Sequence, residues 1–449
     1  MPKGATLDNP RLGAAESTTS YMVEGIRHVC ATFKKRLPGT QSERDAQVFF
    51  KEELEKISDP AKGDSVLMED FTLHPHAFMG FIIIAALFML GNIACFWFGK
   101  GNIAVSAVGA ALAIFAVLMF IFEFLMYREF VDFLFPKRVS RNVYAVRKPT
   151  GETQRRIIFG GHTDAVNEWT YSYLAEATGL AIAIIGAVIS MFLGLIASLV
   201  RLAFVIQMHS AETQALAEGL VAKDNPYALT GGQFGLGIAL LCTLPFVFGI
   251  MKFVNYKVVT DGANDNITAN YISMSVLKEM NDSGFRFENT EVGCLLTGSE
   301  EAGLRGAKAF AKKHKEDLSD VETVFISLDT MREIKEMRVC NFGCTGTVQN
   351  DKAVGDLLHD AARVCGVDMP DSELYPGAVD AEAFSMYGLR STGFTAVSHE
   401  AKRYYHTRQD TIDNIDTDCL NLSLNICKEA ARLFDETGMA EYDKKRAKK

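Results

Sequence analysis

Four uncharged apolar stretches interrupt an otherwise polar chain of 449 residues, at positions 78–98, 103–122, 179–200 and 234–251. Each is close to the roughly 20 residues that an α-helix needs to cross the hydrocarbon core of a bilayer. The alternative is a set of buried core helices, but four of them would have to fit into one domain of ordinary size. We therefore expect four membrane-spanning helices, with a lipid bilayer as a partner of the chain.

The stretches occur in two pairs, which predicts two helical hairpins. The short sequence GKGN separates the first pair, and a longer polar loop separates the second. Both ends of a hairpin lie on one side of the membrane, so the polar segments between the hairpins can fold together. We predict hairpins at 78–127 and 173–254. The remaining segments then form one discontinuous α/β domain at 1–77, 128–172 and 255–449.

The charges beside the apolar stretches predict the orientation. Six basic residues flank them on the domain side: Arg128, Lys137, Arg138, Arg141, Lys252 and Lys257. The short opposite turn carries only Lys100. Because basic residues favour the cytoplasmic side, and because the polar start MPKGATLDNP resembles no secretory signal, we expect the domain and both termini in the cytoplasm. An odd number of scattered cysteines, nine, agrees with a reducing compartment.

Five short motifs in the polar segments concentrate acids and histidines: GGHTDA at 160–165, DGANDN at 261–266, GSEEAGLRG at 298–306, SLDT at 327–330 and YYHTRQDT at 404–411. Three of them follow runs typical of buried strands, RRIIFGG, EVGCLLT and ETVFIS. The carboxyl ends of strands are where α/β sheets build their sites. The motifs are therefore expected to meet at one edge of a sheet.

The residue types in these motifs indicate metal chemistry. They supply His162, Asp265, Glu300, Glu301, Asp329 and His406. A two-metal site needs a bridging carboxylate, further nitrogen and oxygen ligands for each ion, and an unligated base for the shared water. Each residue by itself is more typical of a helix cap or a hydrogen-bonding partner. Their combination in this order predicts a metal site.

With these motifs the chain resembles the co-catalytic zinc exopeptidase family, which includes leucyl-type aminopeptidases, glutamate carboxypeptidases and glutaminyl cyclases. The sequence LPGTQSERDAQVFFKEELEKI at 37–57 is similar to the opening helix of that family, and RNVYAVR at 141–147 to one of its strands. The resemblance covers 1–75, 138–166 and 258–440. It implies a mixed β-sheet sandwiched by helices, a peptide substrate and two zinc ions, for which manganese or cobalt could substitute.

The resemblance also implies a role for each candidate residue. It assigns five metal ligands, two to each ion and one between the ions: His162 with Asp329, Glu301 with His406, and Asp265 as the bridge. Glu300 corresponds to the general base. Asp164 corresponds to the acid that orients the His162 ring without binding metal itself.

Two departures from the family pattern lie near the expected substrate pocket. Ala269 stands where a glycine is common, and the stretch GAVDAEAF at 377–384 carries Ala381 where the family has histidine. Glu382 in the same stretch is a conceivable alternative base, although its setting is more typical of a solvated acid. Lys402, Arg403 and Arg408 around His406 would suit an acidic group on the substrate, or be ordinary surface charges.

The sequence thus predicts a membrane-anchored zinc exopeptidase, of which an aminopeptidase is the first interpretation. A carboxypeptidase or amidohydrolase acting on an acylated small molecule shares the metal centre and stays open. So does a non-catalytic membrane scaffold with a peptidase-like domain. The net charge of −9 makes nucleic acid an unexpected partner, and the oligomeric state is open.

Overall fold

The computed structural model describes residues 4–220, 226–343, 346–373, 377–397 and 404–447. The chain forms two compact units. The first comprises Met1–His76, Asp132–Glu168 and Tyr256–Lys449, and the second comprises Ala77–Val131 and Trp169–Asn255. The eight cysteines in the described part of the chain are free thiols.

The strands, in chain order, are β1 (Thr6–Leu7), β2 (Ser65–Leu73), β3 (Arg138–Arg147), β4 (Arg155–His162), β5 (Asn167–Trp169), β6 (Val254–Val259), β7 (Thr290–Thr297), β8 (Glu322–Met331), β9 (Arg338–Gly343), β10 (Val348–Gln349), β11 (Val367–Asp368), β12 (Asp371–Glu373) and β13 (Ser391–Ala396). The helices are α1 (Glu16–Thr32), α2 (Gln41–Lys56), α3 (Ala77–Phe98), α4 (Ile103–Met119), α5 (Thr170–Ala217), α6 (Gly231–Cys242), α7 (Leu244–Ile250), α8 (Thr268–Asp282), α9 (Arg305–Lys313), α10 (Lys352–Val364), α11 (Asp380–Met386), α12 (Thr417–Thr437) and α13 (Ala440–Ala447).

A nine-stranded mixed sheet forms the centre of the first unit. Its strand order is β10-β9-β13-β8-β4-β7-β3-β2, with β12 beside β9. The central strands β4, β7, β8 and β13 run parallel, whereas β3 is antiparallel to β7. Helix α8 packs on β4, β7 and β8, and α9 and α11 contact β3 and β8. This architecture confirms the predicted α/β fold with a mixed sheet between helices.

Burial explains why the central strands read as apolar runs. Phe159 of β4, Leu296 of β7 and Ile326 of β8 are fully buried in one core. Strands that are covered on both faces lose the alternation of polar and apolar residues. The register places the strand ends level, because His162 pairs with Thr297 and Gly160 with Ser327. The carboxyl ends of three strands therefore meet at one edge.

The second unit contains the apolar helices α3–α7. Four helices in the described part of the chain are long and apolar enough to cross a membrane: Ala77–Phe98, Ile103–Leu125, Thr170–Ala217 and Gly231–Ile250. A buried polar group joins three of them, since the side-chain amide of Asn92 in α3 donates to the carbonyl of Gly109 in α4 (2.8 Å) and to the hydroxyl of Ser198 in α5. The four predicted apolar helices are present.

Two of these helices differ from their apolar stretches. Helix α5 continues well beyond 179–200, and its backbone is non-helical at Ala175 and Glu176. The fourth helix breaks at Thr243, so that Pro245 lies in the first turn of α7. Proline lacks the N–H group that a helix interior needs but is tolerated in a first turn, which explains the position of the break.

Candidate metal centre

The predicted site residues converge at the carboxyl edge of the parallel strands. His162 is the last residue of β4, and Glu300 and Glu301 follow β7 in a short 3-10 turn, Glu300–Ala302. Asp329 lies near the end of β8, opposite Thr395 of β13. Parallel pairing of neighbouring strands brings these residues together although they are far apart in the sequence.

The Asp265 carboxylate lies between two histidines. Its Oδ1 atom is 3.0 Å from Nε2 of His162, and its Oδ2 atom is 3.0 Å from Nε2 of His406. Asp265 is 3% exposed, so both contacts are shielded from solvent. A carboxylate with one oxygen directed at each of two imidazoles can bridge two metal ions.

Glu301 completes the group around this carboxylate. Its Oε1 atom is 3.3 Å from Nε2 of His406. One ligand atom from each of His162, Asp265 and Glu301 lies within 4.8 Å of the other two, close enough for the three to take part in one metal centre. Asp329 is buried beside them, and the Thr330 hydroxyl donates to its Oδ1 atom (2.7 Å).

Asp164 orients three of the site residues at once. Its carboxylate accepts the backbone N–H groups of Glu300 and Glu301, both at 3.0 Å, and lies 3.3 Å from Nδ1 of His162. Asp164 is completely buried. The carboxylate therefore fixes the histidine ring and the turn that carries both glutamates relative to each other.

Charge is concentrated in this buried site. Burial raises the pKa of Glu300 and of Glu301 well above the ordinary range, and neighbouring carboxylates raise it further. Burial and the Asp265 carboxylate raise the pKa of Asp329 to about 8. Burial disfavours ionisation of Asp265 too, but hydrogen bonds to His162 and His406 outweigh it and hold its pKa below the usual value.

These shifts describe a group of carboxylic acids that lie close together in a buried site. Divalent cations would supply compensating positive charge, and imidazole nitrogen with carboxylate oxygen is a donor set that zinc accepts. Manganese and cobalt bind similar donors, with zinc ahead of both in intrinsic affinity. The residues present therefore fit a divalent metal centre.

Asp410 is a site residue to which the sequence analysis assigned no role. It is 1% exposed, and its carboxylate accepts the backbone N–H groups of Asn264 (2.7 Å) and Asp265 (3.1 Å). Asp410 thus holds the backbone from which the Asp265 side chain projects. Its position in YYHTRQDT, four residues after His406, was the available signal.

One expectation about the charged residues near the site is wrong, and another residue has a partner that the sequence did not indicate. Glu382 is not solvated but fully buried, and its carboxylate accepts a hydrogen bond from the Asn350 side-chain amide at 2.6 Å. Arg408 is an exposed charge, and its guanidinium binds both carboxylate oxygens of buried Glu168 at 2.6 Å. Lys402 and Arg403 lie outside the described residues.

Solved structures of two aminopeptidases and a glutaminyl cyclase share this fold. A leucine aminopeptidase precursor from Bacteroides thetaiotaomicron shares it at a TM-score of 0.50 and 12% identity, over 95% of this chain and 98% of that one. The zinc aminopeptidase BSAP from Bacillus subtilis shares the fold at a TM-score of 0.50 and 11% identity, over 93% of this chain and 94% of that one. A glutaminyl cyclase from Bacteroides thetaiotaomicron shares the fold at a TM-score of 0.50 and 11% identity, over 95% of this chain and 98% of that one. At such identities the likeness establishes the fold.

The fold and the sequence match together define the chain as a metallopeptidase. Residues 251–431 match peptidase family M28. This range includes Asp265, Glu300, Glu301, Asp329 and His406. No curated protein matches the sequence. The resemblance to zinc exopeptidases drawn from the motifs is confirmed.

Proposed function

We propose that this protein is a membrane-anchored, zinc-dependent aminopeptidase that removes residues from the amino terminus of peptides. The observation that carries the proposal is the Asp265 carboxylate held between His162 and His406. His162 with Asp329 and Glu301 with His406 would each hold one zinc ion, and Asp265 would join the two. Bound zinc would polarise the scissile carbonyl and lower the pKa of the attacking water.

Glu300 is the residue best placed to move protons. Its backbone N–H is fixed by Asp164, and its Oε2 atom lies 3.9 Å from Nε2 of His162, beyond hydrogen-bonding distance. The carboxylate can therefore take a proton from the attacking water and pass it to the leaving amine. Glu382 is excluded from this role in the proposal because its carboxylate is occupied by the Val379 N–H and the Asn350 side chain.

Tyr405 supports the same reaction. Its ring stacks on the ring of His406, with centroids 4.1 Å apart. Burial raises the pKa of Tyr405 well above its ordinary value, and the charges of Asp265 and Asp329 raise it further. The phenol therefore keeps its proton, and it can donate a hydrogen bond to negative charge that develops on the substrate carbonyl.

Membrane anchoring is supported by the outer surface of α5. Residues Ile182, Ile185, Ile189, Phe192 and Ile196 recur every three or four positions, and each is between 44% and 57% exposed. An apolar stripe of this length suits contact with lipid tails rather than water. Basic residues near the ends of the apolar helices, such as Arg128 and Lys252, favour a cytoplasmic position for the catalytic domain.

Protease protection tests that orientation. In sealed right-side-out membranes, added protease should leave the catalytic domain intact until the membrane is permeabilised. Digestion of the domain in intact vesicles would reverse the orientation and leave the enzymatic proposal untouched.

The test of the activity compares matched peptides with a free or an acetylated amino terminus, incubated with the zinc-loaded full chain in detergent. Release of the first residue from the free peptide alone supports the aminopeptidase. Release from the carboxyl end, or cleavage of the acyl group, supports a carboxypeptidase or amidohydrolase. No release from either peptide by metal-loaded protein supports the non-catalytic scaffold.

A further inference from the structure

The segment that follows the second apolar helix holds the loop that carries Glu300 and Glu301. Both terminal guanidinium nitrogens of Arg305 donate to the Asp132 carboxylate, at 2.7 and 2.8 Å. The Nε atom of the same arginine donates to the carbonyl of Ala302 at 2.8 Å. Arg305 is 5% exposed, so this charge-assisted fork is largely shielded from water. One side chain thus connects Asp132 to the catalytic turn.

Asn142, further along the same segment, closes both ends of the loop. Its side-chain amide donates to the carbonyl of Gly306 at 2.9 Å, and its Oδ1 accepts the N–H of Gly298 at 3.0 Å. A β-carbon on Gly306 would lie 2.3 Å from the Gly298 carbonyl oxygen, so the loop has no room for a side chain there. Asp132 and Asn142 therefore contribute to the position of loop 298–306.

The start of this segment exposes an apolar surface. Phe133 is 80% exposed and Leu134 is 52% exposed, and Lys137 and Arg138 close behind them are exposed as well. Bulky apolar side chains next to basic ones are typical of segments that sit at a membrane surface, with the bases near anionic lipid headgroups.

The chain length keeps this surface near the bilayer. Only residues 126–131 separate Phe133 and its neighbours from the candidate span Ile103–Leu125. An extended chain advances at most about 3.5 Å per residue. The exposed turn therefore lies at most about 30 Å from Leu125, within reach of the membrane surface.

We propose that residues 132–138 form an interfacial segment, which inserts Phe133 and Leu134 among lipid headgroups and sets Lys137 and Arg138 against anionic lipid. Through Asp132 and Arg305, this seating positions the loop that carries Glu300. Contact with the bilayer surface would then affect the rate of the reaction. The inference rests on the proposed membrane anchoring and the proposed role of Glu300.

Fluorescence quenching by brominated lipid tests the contact without using activity. The full chain with Trp169→Phe, which keeps Trp97 of α3, is compared with the same chain carrying Phe133→Trp, in nanodiscs with and without brominated phosphatidylcholine. We expect quenching of Trp97 and additional quenching of the added indole. Quenching of Trp97 alone would overturn the interfacial segment, whereas no quenching of Trp97 would overturn the membrane anchoring itself.

Turnover tests whether the interfacial segment positions the loop that carries Glu300. Nanodiscs of phosphatidylcholine alone are compared with nanodiscs that also contain phosphatidylserine. For Phe133→Ser with Leu134→Ser, and separately for Asp132→Asn, we expect kcat to fall about tenfold with KM and metal content unchanged, since small displacements of catalytic groups cost this much or more. The equally apolar, exposed control Phe285→Ser should behave as the unchanged chain.

The anionic lipid should raise kcat of the unchanged chain but not of Asp132→Asn. Unaltered kcat in Asp132→Asn, alongside loss of activity in Glu300→Gln, would refute the coupling alone.

Discussion

The Asp164 carboxylate accepts the backbone N–H of Glu300 at 3.0 Å, so a buried acid determines the position of the proposed base. The same carboxylate contacts the ring of His162. The base and one proposed metal ligand therefore share a single support, and damage to that support should affect metal binding and turnover together.

Asp164→Asn tests this shared support. The amide nitrogen would face one of the two backbone N–H groups that now donate to the carboxylate, and the His162 ring would lose its negatively charged neighbour. We expect zinc affinity to fall about 10- to 100-fold, the range typical when the partner of a ligand is removed. Competition with a fluorescent chelator measures the affinity. The exposed Asp413→Asn serves as a control and should bind zinc normally, and normal affinity in Asp164→Asn would disprove the support.

Glu300→Gln separates proton transfer from metal binding. The amide keeps the shape of the side chain but cannot accept a proton, so kcat should fall about 100- to 10,000-fold while bound zinc stays constant. Elemental analysis of the same sample gives the metal content. The exposed Glu316→Gln is a matched control. Near-normal turnover in Glu300→Gln would mean that another group is the base.

Asp410→Asn tests the residue found only in the structure. The change sets an amide N–H against the backbone N–H of either Asn264 or Asp265, leaving one buried donor without an acceptor. Such a loss costs about 1–3 kcal/mol, and we expect a lower unfolding free energy of the metal-free chain in detergent, measured by chemical denaturation. Zinc affinity should decrease as well. Unchanged stability would show that Asp410 is dispensable for holding this backbone.

Arg408→Gln distinguishes a structural role from recognition of substrate. Arg408 binds Glu168, which is 1% exposed, so its loss should reduce stability by roughly 2 kcal/mol, an intermediate value for a half-exposed pair. The preference between peptides with acidic and neutral first residues should not change. Arg363→Gln, which breaks an exposed pair with Asp360, should have almost no effect on stability. A selective loss of activity on acidic peptides would instead assign Arg408 to the substrate pocket.

The strand ends and the apolar helices could be predicted because each depends on local patterns. A buried parallel strand reads as an apolar run, and the sheet edge then brings together whatever follows, here His162, Glu300 and Asp329. The length of an apolar stretch similarly indicates a membrane-length helix. Both inferences need only the sequence of one element and the general geometry of sheets and bilayers.

The support of the site could not be predicted, because it depends on contacts between distant segments. Asp410 reaches Asp265 from another loop, and Asp132 reaches Arg305 across much of the sequence. The burial of Glu382 likewise follows from its hydrogen bonds to Asn350 and the Val379 backbone, not from its neighbours in sequence. From the sequence alone, an acidic residue beside other acids is predicted to face solvent, because its hydrogen-bonding partners are not known.

The measurement that tests the central claim most directly is turnover of a peptide with a free amino terminus by the purified full chain, before chelation, after chelation and after zinc is restored. We predict stepwise release of amino-terminal residues, its loss on chelation and its recovery with zinc. In Glu300→Gln, turnover should stay low under all three conditions. Hydrolysis that persists at full rate after complete removal of metal would contradict the account.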